Sequence, residues 1–294
     1  MPGAGEGTRC PADGAVLLPW RRGVARGGHS LGECPLCRLI WTLPLKTDAE
    51  LVPLYADRES KDFVPGDIPP IAAVKDAIAR AQLTAIARRL GGAPSTMLDL
   101  GTGNGRYAVA ANRLGWGGVS ASDTHDTPPT AIQRTSRGKS PVRFITHRNL
   151  VRHAGSFDFV LYRAVLEHMS DPHGALQEIR QLLRPGGVCY VEVPNIESWS
   201  ARMLGYSAQS LYLPWHRVHF RSEVLHAVLR AAGLEPFAAG GKSMPKVADQ
   251  LQYVAPSLPR PLAQVIGAAL QPLQLLLEGM LGRENLWVLA RRAV

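Results

Sequence analysis

Apolar side chains along the middle of the chain recur first with a helical period and then in short continuous runs. Between Ile71 and Leu90 they are spaced as on one face of a helix, which Gly91 and Gly92 end. The alternation of helix-like and strand-like patterns then continues to residue 193. The predicted buried strands are 96–100, 118–122, 142–146, 157–162 and 188–193, and the helices between them include 106–114 and 172–183. This pattern predicts an α/β fold with a parallel sheet and helices on both of its faces.

The C-terminal part continues the alternation and adds one long amphipathic segment. Residues 222–232 predict a helix, and 234–239 and 285–291 predict strands. Residues 261–281 carry apolar side chains at helical spacing, with an expected break at Pro272. We expect the apolar face of this segment to pack on the core, with a lid over an apolar substrate as the alternative. Its polar face has few basic residues, which argues against association with a membrane.

The first 70 residues differ in composition from the rest of the chain. They are rich in glycine, proline and cysteine, so we predict a leader over residues 1–70 and a larger domain over 71–294. Residues 1–14 lack the apolar stretch of a signal peptide, and no apolar run approaches the roughly 20 residues that a membrane span needs. The four cysteines do not form a disulfide framework. These features predict a cytoplasmic protein.

The positive charge of the chain does not indicate a nucleic-acid partner. The formal net charge of the 294 residues is +9. Most of the basic residues are arginines that are scattered along the chain in runs of no more than two. Proteins that bind nucleic acids usually concentrate such residues in patches. We therefore expect no nucleic-acid partner.

The strongest chemical signal is the segment Asp99-Leu100-Gly101-Thr102-Gly103-Asn104-Gly105, in which a predicted strand runs into glycines and then into a helix. Bare backbone and the free N–H groups at a helix N-terminus suit a ligand that presses against the chain. A dinucleotide-binding loop requires Gly-x-Gly-x-x-Gly, but position 106 is arginine. A carboxylate just before the glycines favours a ligand with an ammonium group, such as S-adenosylmethionine, over a pyrophosphate.

A second acidic residue, Asp123, follows the next predicted strand. A carboxylate there can accept hydrogen bonds from both hydroxyls of a ribose. Aspartate is also common as a helix cap, so a role in a cap or turn stays open. The spacing from the glycine loop favours the ribose role.

Three further segments carry a family pattern. They are residues 156–168 (SFDFVLYRAVLEH), 183–187 (LRPGG) and 213–220 (LPWHRVHF). With the glycine loop and Asp123, they resemble the class I S-adenosylmethionine-dependent methyltransferases over about residues 71–294. Within that family the resemblance is to the ubiquinone-biosynthesis-like group, with methyltransferase types 11, 12 and 23. The resemblance implies a Rossmann-like, mostly parallel sheet of seven strands. It also implies a set of cofactor-binding residues: Asp99, Gly101, Thr102, Gly103, Asn104 and Gly105 at the glycine loop, Asp123 at the ribose, Asn149 near the adenine, and Arg163.

Methyl transfer from a sulfonium is an in-line displacement, so the enzyme mainly aligns the reacting atoms and excludes water. Deprotonating a hydroxyl or amine acceptor can need a base, for which His168, His216 and His219 are the candidates. Each has a plainer interpretation: His168 as a helix cap, and His216 and His219 as residues on either side of a turn. The related O-methyltransferases bind a divalent cation through Glu-x-x-Glu-His. This chain keeps only Glu167 and His168 of that run, so no catalytic metal is predicted.

The cysteines of the leader form a candidate structural zinc site. Cys34 and Cys37 make a Cys-x-x-Cys knuckle, and Cys10 with Asp13 matches a second knuckle whose last cysteine is replaced. These four side chains can supply tetrahedral ligands for zinc, with His29 as an alternative to Asp13. Residues 38–55 resemble the zinc-ribbon leader of some methyltransferases in this family. A decayed ribbon that folds without metal remains the alternative.

Together these features predict transfer of a methyl group from S-adenosylmethionine to an O, N or C nucleophile of a small-molecule acceptor. Lipid, quinone-like and secondary-metabolite acceptors stay open, because one fold and one cofactor site serve many acceptors. One alternative is a non-catalytic binding module with a relic cofactor site, against which the nearly intact glycine loop argues. The other is a nicotinamide-dependent enzyme, which would need a glycine at position 106 and a Tyr-x-x-x-Lys pair.

Overall fold

The computed structural model describes residues 7–21, 27–51, 69–135 and 141–293. In chain order its strands are β1 (Leu18–Pro19), β2 (Ser30–Glu33), β3 (Ile40–Leu43), β4 (Met97–Leu100), β5 (Val119–Ser122), β6 (Arg143–Phe144), β7 (Phe157–Arg163), β8 (Leu183–Pro194), β9 (Val218–His219), β10 (Leu234–Lys242) and β11 (Asn285–Arg292). Its α-helices are α1 (Pro69–Leu90), α2 (Arg106–Arg113), α3 (Thr130–Thr135), α4 (Pro172–Leu182), α5 (Trp199–Leu204), α6 (Ser222–Ala231), α7 (Val247–Val254) and α8 (Arg260–Leu281).

A seven-stranded sheet of order β10-β11-β8-β7-β4-β5-β6 forms the centre of the molecule. The strands from β8 to β6 are parallel to their neighbours, whereas β11 runs antiparallel to both β8 and β10. Strands β4 and β5 are buried along their whole length. Parallel sheets are covered on both faces, which explains why even the polar side chains of these strands, Asp99, Ser120 and Ser122, are buried. The predicted fold class, α/β with a mostly parallel seven-stranded sheet, is confirmed.

Helices cover both faces of this sheet. Phe159 and Val160 are neighbours on β7 but belong to different apolar clusters, as expected when successive side chains point to opposite faces. The cluster of Phe159 includes Leu83 of α1, and the cluster of Val160 includes Ile179 of α4. Burying one such side chain contributes about 1.5–3 kcal/mol, so apolar packing holds the helices against the sheet.

A second sheet, of order β1-β2-β3-β9, joins the leader to the larger domain. Strands β1 to β3 belong to the leader, but β9 belongs to the domain. Strand β3 pairs antiparallel with β9, with Ile40 opposite His219 and Trp41 opposite Val218. The leader therefore shares hydrogen bonds and buried apolar surface with the domain. The predicted boundary after residue 70 stays a prediction, and α1 begins beside it at Pro69.

Two strand boundaries differ from the sequence prediction. The segment 184–187 lies between the predicted helix 172–183 and the predicted strand 188–193, but β8 already begins at Leu183, which pairs with Phe157. The register shifts before Phe159 pairs with Val188, and Gly186 has a φ of +75°. The irregularity in pairing thus lets β8 continue through Gly186 and Gly187, which interrupt the apolar pattern of the strand. At the sheet edge, β6 is only two residues long, shorter than the predicted run 142–146.

Helix α8 differs most from its prediction. It continues through Pro272 without ending there. Pro272 and Ala268, the residue whose carbonyl loses its helical hydrogen bond to that proline, are both exposed. Because water can satisfy the freed carbonyl, the helix tolerates the proline.

The apolar face of α8 points outward, so the expected packing on the core is wrong. Leu276 and Met280 are 61% and 72% exposed, whereas Gln274 and Glu278 are 1% and 2% exposed. The amide of Gln274 donates to the Glu278 carboxylate at 2.7 Å, and its carbonyl accepts from the Lys246 backbone N–H at 3.2 Å. The buried side of the helix thus carries polar side chains that form hydrogen bonds with each other and with the backbone of Lys246. Among the described residues, no helix combines the length and the apolar character needed to cross a membrane.

Substitutions on the two sides of α8 should show whether its apolar face points outward, as in the structure, or packs on the core, as periodicity predicts. Val265→Gln lies on the exposed side and should change the free energy of unfolding by less than about 0.5 kcal/mol. Ala263→Gln lies on the buried side and should cost about 1–3 kcal/mol, because the larger side chain has no space. Urea denaturation followed by circular dichroism measures both, and a larger loss for Val265→Gln contradicts this orientation.

Candidate active site

The glycine loop connects the end of β4 to the start of α2 at the carboxyl edge of the sheet. Gly101, Gly103 and Gly105 have φ angles of +74°, +54° and +80°, a region in which glycine alone is unstrained. The backbone N–H groups of Gly101 and Thr102 both donate to the carbonyl of Ser122, each at 2.9 Å. The loop is therefore fastened to the end of the neighbouring strand β5, where a ligand of an open α/β sheet is expected.

Packing also demands glycine at two of these positions. A Cβ atom on Gly101 would lie 2.4 Å from a methyl group of Val165, in the loop after β7. A Cβ atom on Gly105 would lie 2.8 Å from Ile132 of α3. Neighbouring side chains therefore fix the loop from both sides, independently of any ligand.

Asp99 holds the glycine loop against helix α2. Its side chain is buried, and Oδ2 accepts hydrogen bonds from the Thr102 hydroxyl at 2.7 Å and from the Ala108 backbone N–H at 3.2 Å. Burial raises the pKa of this carboxyl to about 6. Asp99 thus has a structural function in the loop, and the predicted contact with an ammonium group stays a prediction.

Asp123 lies against the glycine loop. Its Oδ2 accepts a hydrogen bond from the Gly103 backbone N–H at 2.8 Å, and its Oδ1 accepts one from the Thr124 backbone N–H at 2.8 Å. Oδ1 also accepts from the Thr124 hydroxyl at 3.2 Å, whereas Oδ2 has a second lone pair that can accept from a further donor. Asn104 contributes locally, since its side-chain oxygen accepts from the Arg106 backbone N–H at 3.2 Å. The fold therefore brings together the two pieces that the sequence assigns to one ligand.

Asn149 lies in a 3₁₀ turn, His147–His153, that follows β6. Its side-chain amide donates to the Thr146 hydroxyl at 2.8 Å, and its backbone N–H donates to the carbonyl of Thr146. The turn lies at the carboxyl end of the sheet, as an adenine contact requires. Its role toward the adenine stays a prediction.

Sequence reasoning missed a buried charged cluster next to the loop. Glu192 of β8 is fully buried, and its carboxylate lies 3.3 Å from Arg163 and 3.2 Å from Lys242. Although burial opposes ionisation, the two cations lower the pKa of Glu192 to about 2. The single glutamate in the apolar run 188–193 is the signal that could have indicated it. Other hydrogen-bond donors to this carboxylate are Gln82, Tyr190 and Asn285.

Arg163, predicted to bind the cofactor, is part of this cluster. Its guanidinium lies 4.3 Å from the centre of the Tyr107 ring, in a cation–π arrangement. Asp99 and Glu192 both contribute to raising its pKa against the effect of burial. Arg163 therefore interacts electrostatically with both Glu192 and Asp99. Any direct contact of Arg163 with a cofactor stays a prediction.

A second group of ionisable side chains follows β7. Ala164 has a φ of +54°, which is unusual for a residue other than glycine, and a short 3₁₀ turn carries Glu167 and His168. Glu167 is 1% exposed, and neither of its carboxylate oxygens has a hydrogen-bond partner within the part of the chain that the structure describes. The Nε2 atom of His216 lies 4.0 Å from its Oε1. Burial raises the pKa of Glu167 to about 8.

The sequence could not place His216 beside Glu167 and His168. The rings of the two histidines are 4.9 Å apart, and His168 Nδ1 lies 2.9 Å from the carbonyl of Trp215. One ligand atom each from Glu167, His168 and His216 lies within 4.8 Å of the others. The set could hold a divalent cation. The sequence predicted no catalytic metal because Glu167 and His168 supply only two ligands, and the fold brings His216 beside them as a third.

The third candidate base, His219, lies elsewhere. It is 4% exposed on β9, and its Nε2 lies 2.9 Å from the hydroxyl of Thr42 on β3. Burial lowers the pKa of this imidazole to about 3. This position favours a structural role at the junction with the leader. A role of His219 as a base stays a prediction.

The four candidate zinc ligands of the leader come together. The ligand atoms of Cys10, Asp13, Cys34 and Cys37 all lie within 4.8 Å of one another. All four cysteines of the chain are free thiols. His29, the alternative ligand, is not part of this group among the described residues.

Comparisons with known proteins agree with the fold. A family model described as "Methyltransferase domain" matches residues 73–238. Ubiquinone biosynthesis O-methyltransferases of Ruegeria pomeroyi and Dinoroseobacter shibae are each 32% identical over 149 residues, which is 48% of this chain and 60% of those proteins. The match thus spans less than two thirds of the relatives' length.

Solved structures of two other proteins are similar in fold over most of this chain. One is a 1,6-didemethyltoxoflavin-N1-methyltransferase from Burkholderia thailandensis with bound 1,6-didemethyltoxoflavin and S-adenosylhomocysteine. It is 21% identical, covers 94% of this chain and 99% of its own, and has a TM-score of 0.51. A putative methyltransferase from Bacillus halodurans is 16% identical, covers 73% and 99%, and has a TM-score of 0.50. At these identities the likeness concerns the fold alone.

The packing at Gly101 generates a test with a matched control. Gly101→Ala combines a positive φ with the 2.4 Å contact to Val165, whereas Gly115→Ala has a similar φ of +75° and nothing within 4 Å. The control should lose about 1–2 kcal/mol from backbone strain alone. Gly101→Ala should lose at least about 1 kcal/mol more, because overpacking adds to that strain. Urea denaturation compares the two, and equal losses would show that Val165 does not constrain the loop.

Proposed function

Because this chain belongs to the methyltransferase-domain family, and with it to the class I S-adenosylmethionine-dependent methyltransferases, we propose that it transfers the methyl group of S-adenosylmethionine to a small-molecule acceptor. In this proposal residues 71–294 form the catalytic domain and residues 1–70 form a leader. The observation that best supports the proposal is the hydrogen bond from the Gly103 N–H to Asp123, which joins the glycine loop to the acid beyond β5.

The proposed cofactor site extends along the carboxyl edge of the sheet. The backbone of Gly101, Thr102, Gly103, Asn104 and Gly105 lies along the methionine end and the adenosyl group. Asp123 accepts hydrogen bonds from the ribose, and Asn149 lies near the adenine. Asp99 and Arg163 act mainly by supporting the loop, because the buried Asp99 accepts hydrogen bonds from Thr102 and Ala108 and the half-buried Arg163 is paired with Glu192. Three of the five loop residues are glycines, which suits a ligand that needs close approach to the backbone more than charge.

In the reaction, an acceptor lone pair forms a bond to the methyl carbon while the carbon–sulfur bond breaks, and the bonding electrons stay on sulfur in S-adenosylhomocysteine. A hydroxyl or amine acceptor also loses a proton. The protein's main contribution is to align the acceptor with the methyl group and to exclude water.

The proton that the acceptor loses passes to the cluster of Glu167, His168 and His216. His216, with His168 beside it, accepts this proton, and Glu167, in the ionised form that predominates above about pH 8, lies close enough to stabilise the resulting imidazolium. A carboxylate that is buried without hydrogen-bond partners is costly unless a nearby positive charge compensates it, which such an imidazolium would supply. The relatives named as ubiquinone biosynthesis O-methyltransferases support a phenolic, quinol-type oxygen as acceptor. Nitrogen and carbon acceptors are the alternatives for the test.

Removing one acceptor oxygen from Asp123 tests the cofactor site. Asp123→Asn retains an oxygen for the Gly103 N–H but loses the charge and the second acceptor for the ribose. The dissociation constant of S-adenosylhomocysteine in isothermal titration calorimetry should rise at least tenfold, or about 1.4 kcal/mol. Asp126→Asn, an exposed acid paired with Arg148 at 3.3 Å, is the control and should stay within about twofold of the parent. Equal affinity in Asp123→Asn and the parent would rule out the ribose contact.

Turnover with a panel of catechols, quinols, amines and active-methylene compounds identifies the acceptor class. Formation of S-adenosylhomocysteine with oxygen acceptors only is the expected result. Cofactor binding without turnover of any acceptor would instead favour a non-catalytic binding module.

The raised pKa of Glu167 predicts a pH-dependent stability. Folding moves this pKa from its ordinary value of 4.5 to about 8 because burial disfavours the charged form. The stability that the protonated carboxyl contributes is present below about pH 4.5 and is lost as the pH rises through about 8. Relative to the parent, Glu167→Gln should therefore gain about 1–3 kcal/mol between pH 5 and pH 8 in urea denaturation. Glu235→Gln, at a carboxyl whose side chain is 65% exposed, should show no such trend.

A further inference from the structure

The leader contains two matching knuckles that face each other. In one, the backbone N–H groups of Leu36 and Cys37 both lie 3.4 Å from the Cys34 sulfur as donors. In the other, a turn is closed by the Gly14 N–H donating to the carbonyl of Cys10 at 2.9 Å, and Asp13 stands where the second cysteine of a knuckle would be. Donors aimed at a sulfur stabilise its thiolate, which is the form that binds metals.

The distances between the ligand atoms fit one tetrahedral ion. The sulfurs of Cys10 and Cys37 are 3.6 Å apart, and Asp13 oxygens lie 3.1 and 3.3 Å from the Cys34 sulfur. Zinc–sulfur bonds of about 2.3 Å at a tetrahedral angle place two sulfurs about 3.8 Å apart, whereas a disulfide requires about 2.05 Å. We propose that Cys10, Asp13, Cys34 and Cys37 bind one zinc ion that holds the leader and, through β3, positions the His216–His219 segment of the domain.

The donor set selects the metal. Three sulfurs and one carboxylate oxygen form a soft, four-coordinate site that suits zinc and excludes the six or more oxygen ligands that magnesium and calcium require. Cys10 and Cys34 are 2% and 0% exposed, so the site is closed to solvent on the cysteine side. A closed site with four protein ligands is structural rather than catalytic.

The second part of the proposal follows from how the knuckle joins the domain. The Cys34 knuckle connects β2 to β3, and the Cys34 N–H donates to the carbonyl of Leu39 at 2.9 Å, where β3 begins. Thr42 of β3 donates its hydroxyl to the carbonyl of His216 at 2.6 Å and its backbone N–H to the carbonyl of Arg217 at 2.9 Å. A second link is the double hydrogen bond from Arg221 to Glu33 of β2, at 2.9 and 3.1 Å.

The metal thus fixes the hairpin that holds the backbone of His216. The cofactor loop 101–105 belongs to the other sheet and has no hydrogen bond to the leader among the described residues. Loss of the metal should therefore disturb the acceptor side and leave the cofactor side intact. Only the significance of His216 as a base rests on the proposed function; the metal site itself does not.

Metal content of the purified protein tests the site. Inductively coupled plasma mass spectrometry should find about one zinc per chain in the parent and in Cys189→Ser, which removes a buried thiol of β8 away from the site. Cys34→Ser should hold less than about a fifth of that amount, because three ligands rarely retain a structural zinc. Asp13→Cys completes a four-cysteine site and should release zinc to a chelator more slowly than the parent. A parent chain without stoichiometric zinc, or an Asp13→Cys chain that retains it no better, overturns the metal site.

Because Cys34→Ser could unfold the leader outright, the coupling is tested on the parent chain by removing zinc with a chelator and restoring it. Hydrogen–deuterium exchange should rise in peptides covering 214–220 on removal, stay unchanged in peptides covering 99–110, and return on restoration. Unchanged exchange at 214–220 overturns the coupling. S-adenosylhomocysteine titrated into the same zinc-free sample should bind with unchanged affinity. Absence of binding even in the zinc-loaded chain would count against the proposed function and leave the metal site standing.

Discussion

The site depends on a glycine backbone that is held bare between two parallel strands. Ser122 at the end of β5 accepts hydrogen bonds from the first two N–H groups of the loop, and Val165 after β7 packs against Gly101. These contacts leave the loop little freedom to rearrange, so its remaining surface is set before any ligand arrives. Preorganised backbone of this kind reduces the entropy lost on binding. The hydrogen bond from Gly103 to Asp123 adds a carboxylate at a fixed position beside it.

A cluster of charged side chains next to the loop supports this arrangement. Glu192 compensates the charges of Arg163 and Lys242, and Arg163 also interacts electrostatically with Asp99. Removing one partner of such a group leaves the others buried and uncompensated, which commonly costs 3–5 kcal/mol. The polar cluster therefore couples the stability of the sheet edge to the shape of the glycine loop. It also explains why a glutamate interrupts an otherwise apolar strand.

Sequence patterns predicted the parts of this structure that depend on local order. Strands β4 and β7 are mostly apolar runs, and the glycines of the loop mark a turn with the positive φ angles that glycine adopts easily. Periodicity could not say which face of α8 turns inward, because Gln274 accepts a hydrogen bond from the backbone N–H of Lys246, 28 residues away, and donates one to Glu278 on the same face of the helix. In the same way, the sequence placed His216 and Glu167 in separate motifs. Their proximity is fixed by tertiary contacts that no local pattern encodes: the Arg217 backbone N–H donates to the carbonyl of Glu167 at 2.8 Å, and His168 Nδ1 lies 2.9 Å from the carbonyl of Trp215.

The leader and the domain form one structural unit, since the sheet β1-β2-β3-β9 contains strands of both. The proposed function nevertheless depends on the edge of the larger sheet, where a crystal structure of the chain with S-adenosylhomocysteine would locate the ligand. We expect electron density for the homocysteine part along Gly101–Gly105 and for the ribose hydroxyls at the Asp123 carboxylate. Density at another location, or an empty loop with Val165 packed over it at saturating ligand, would overturn this cofactor site.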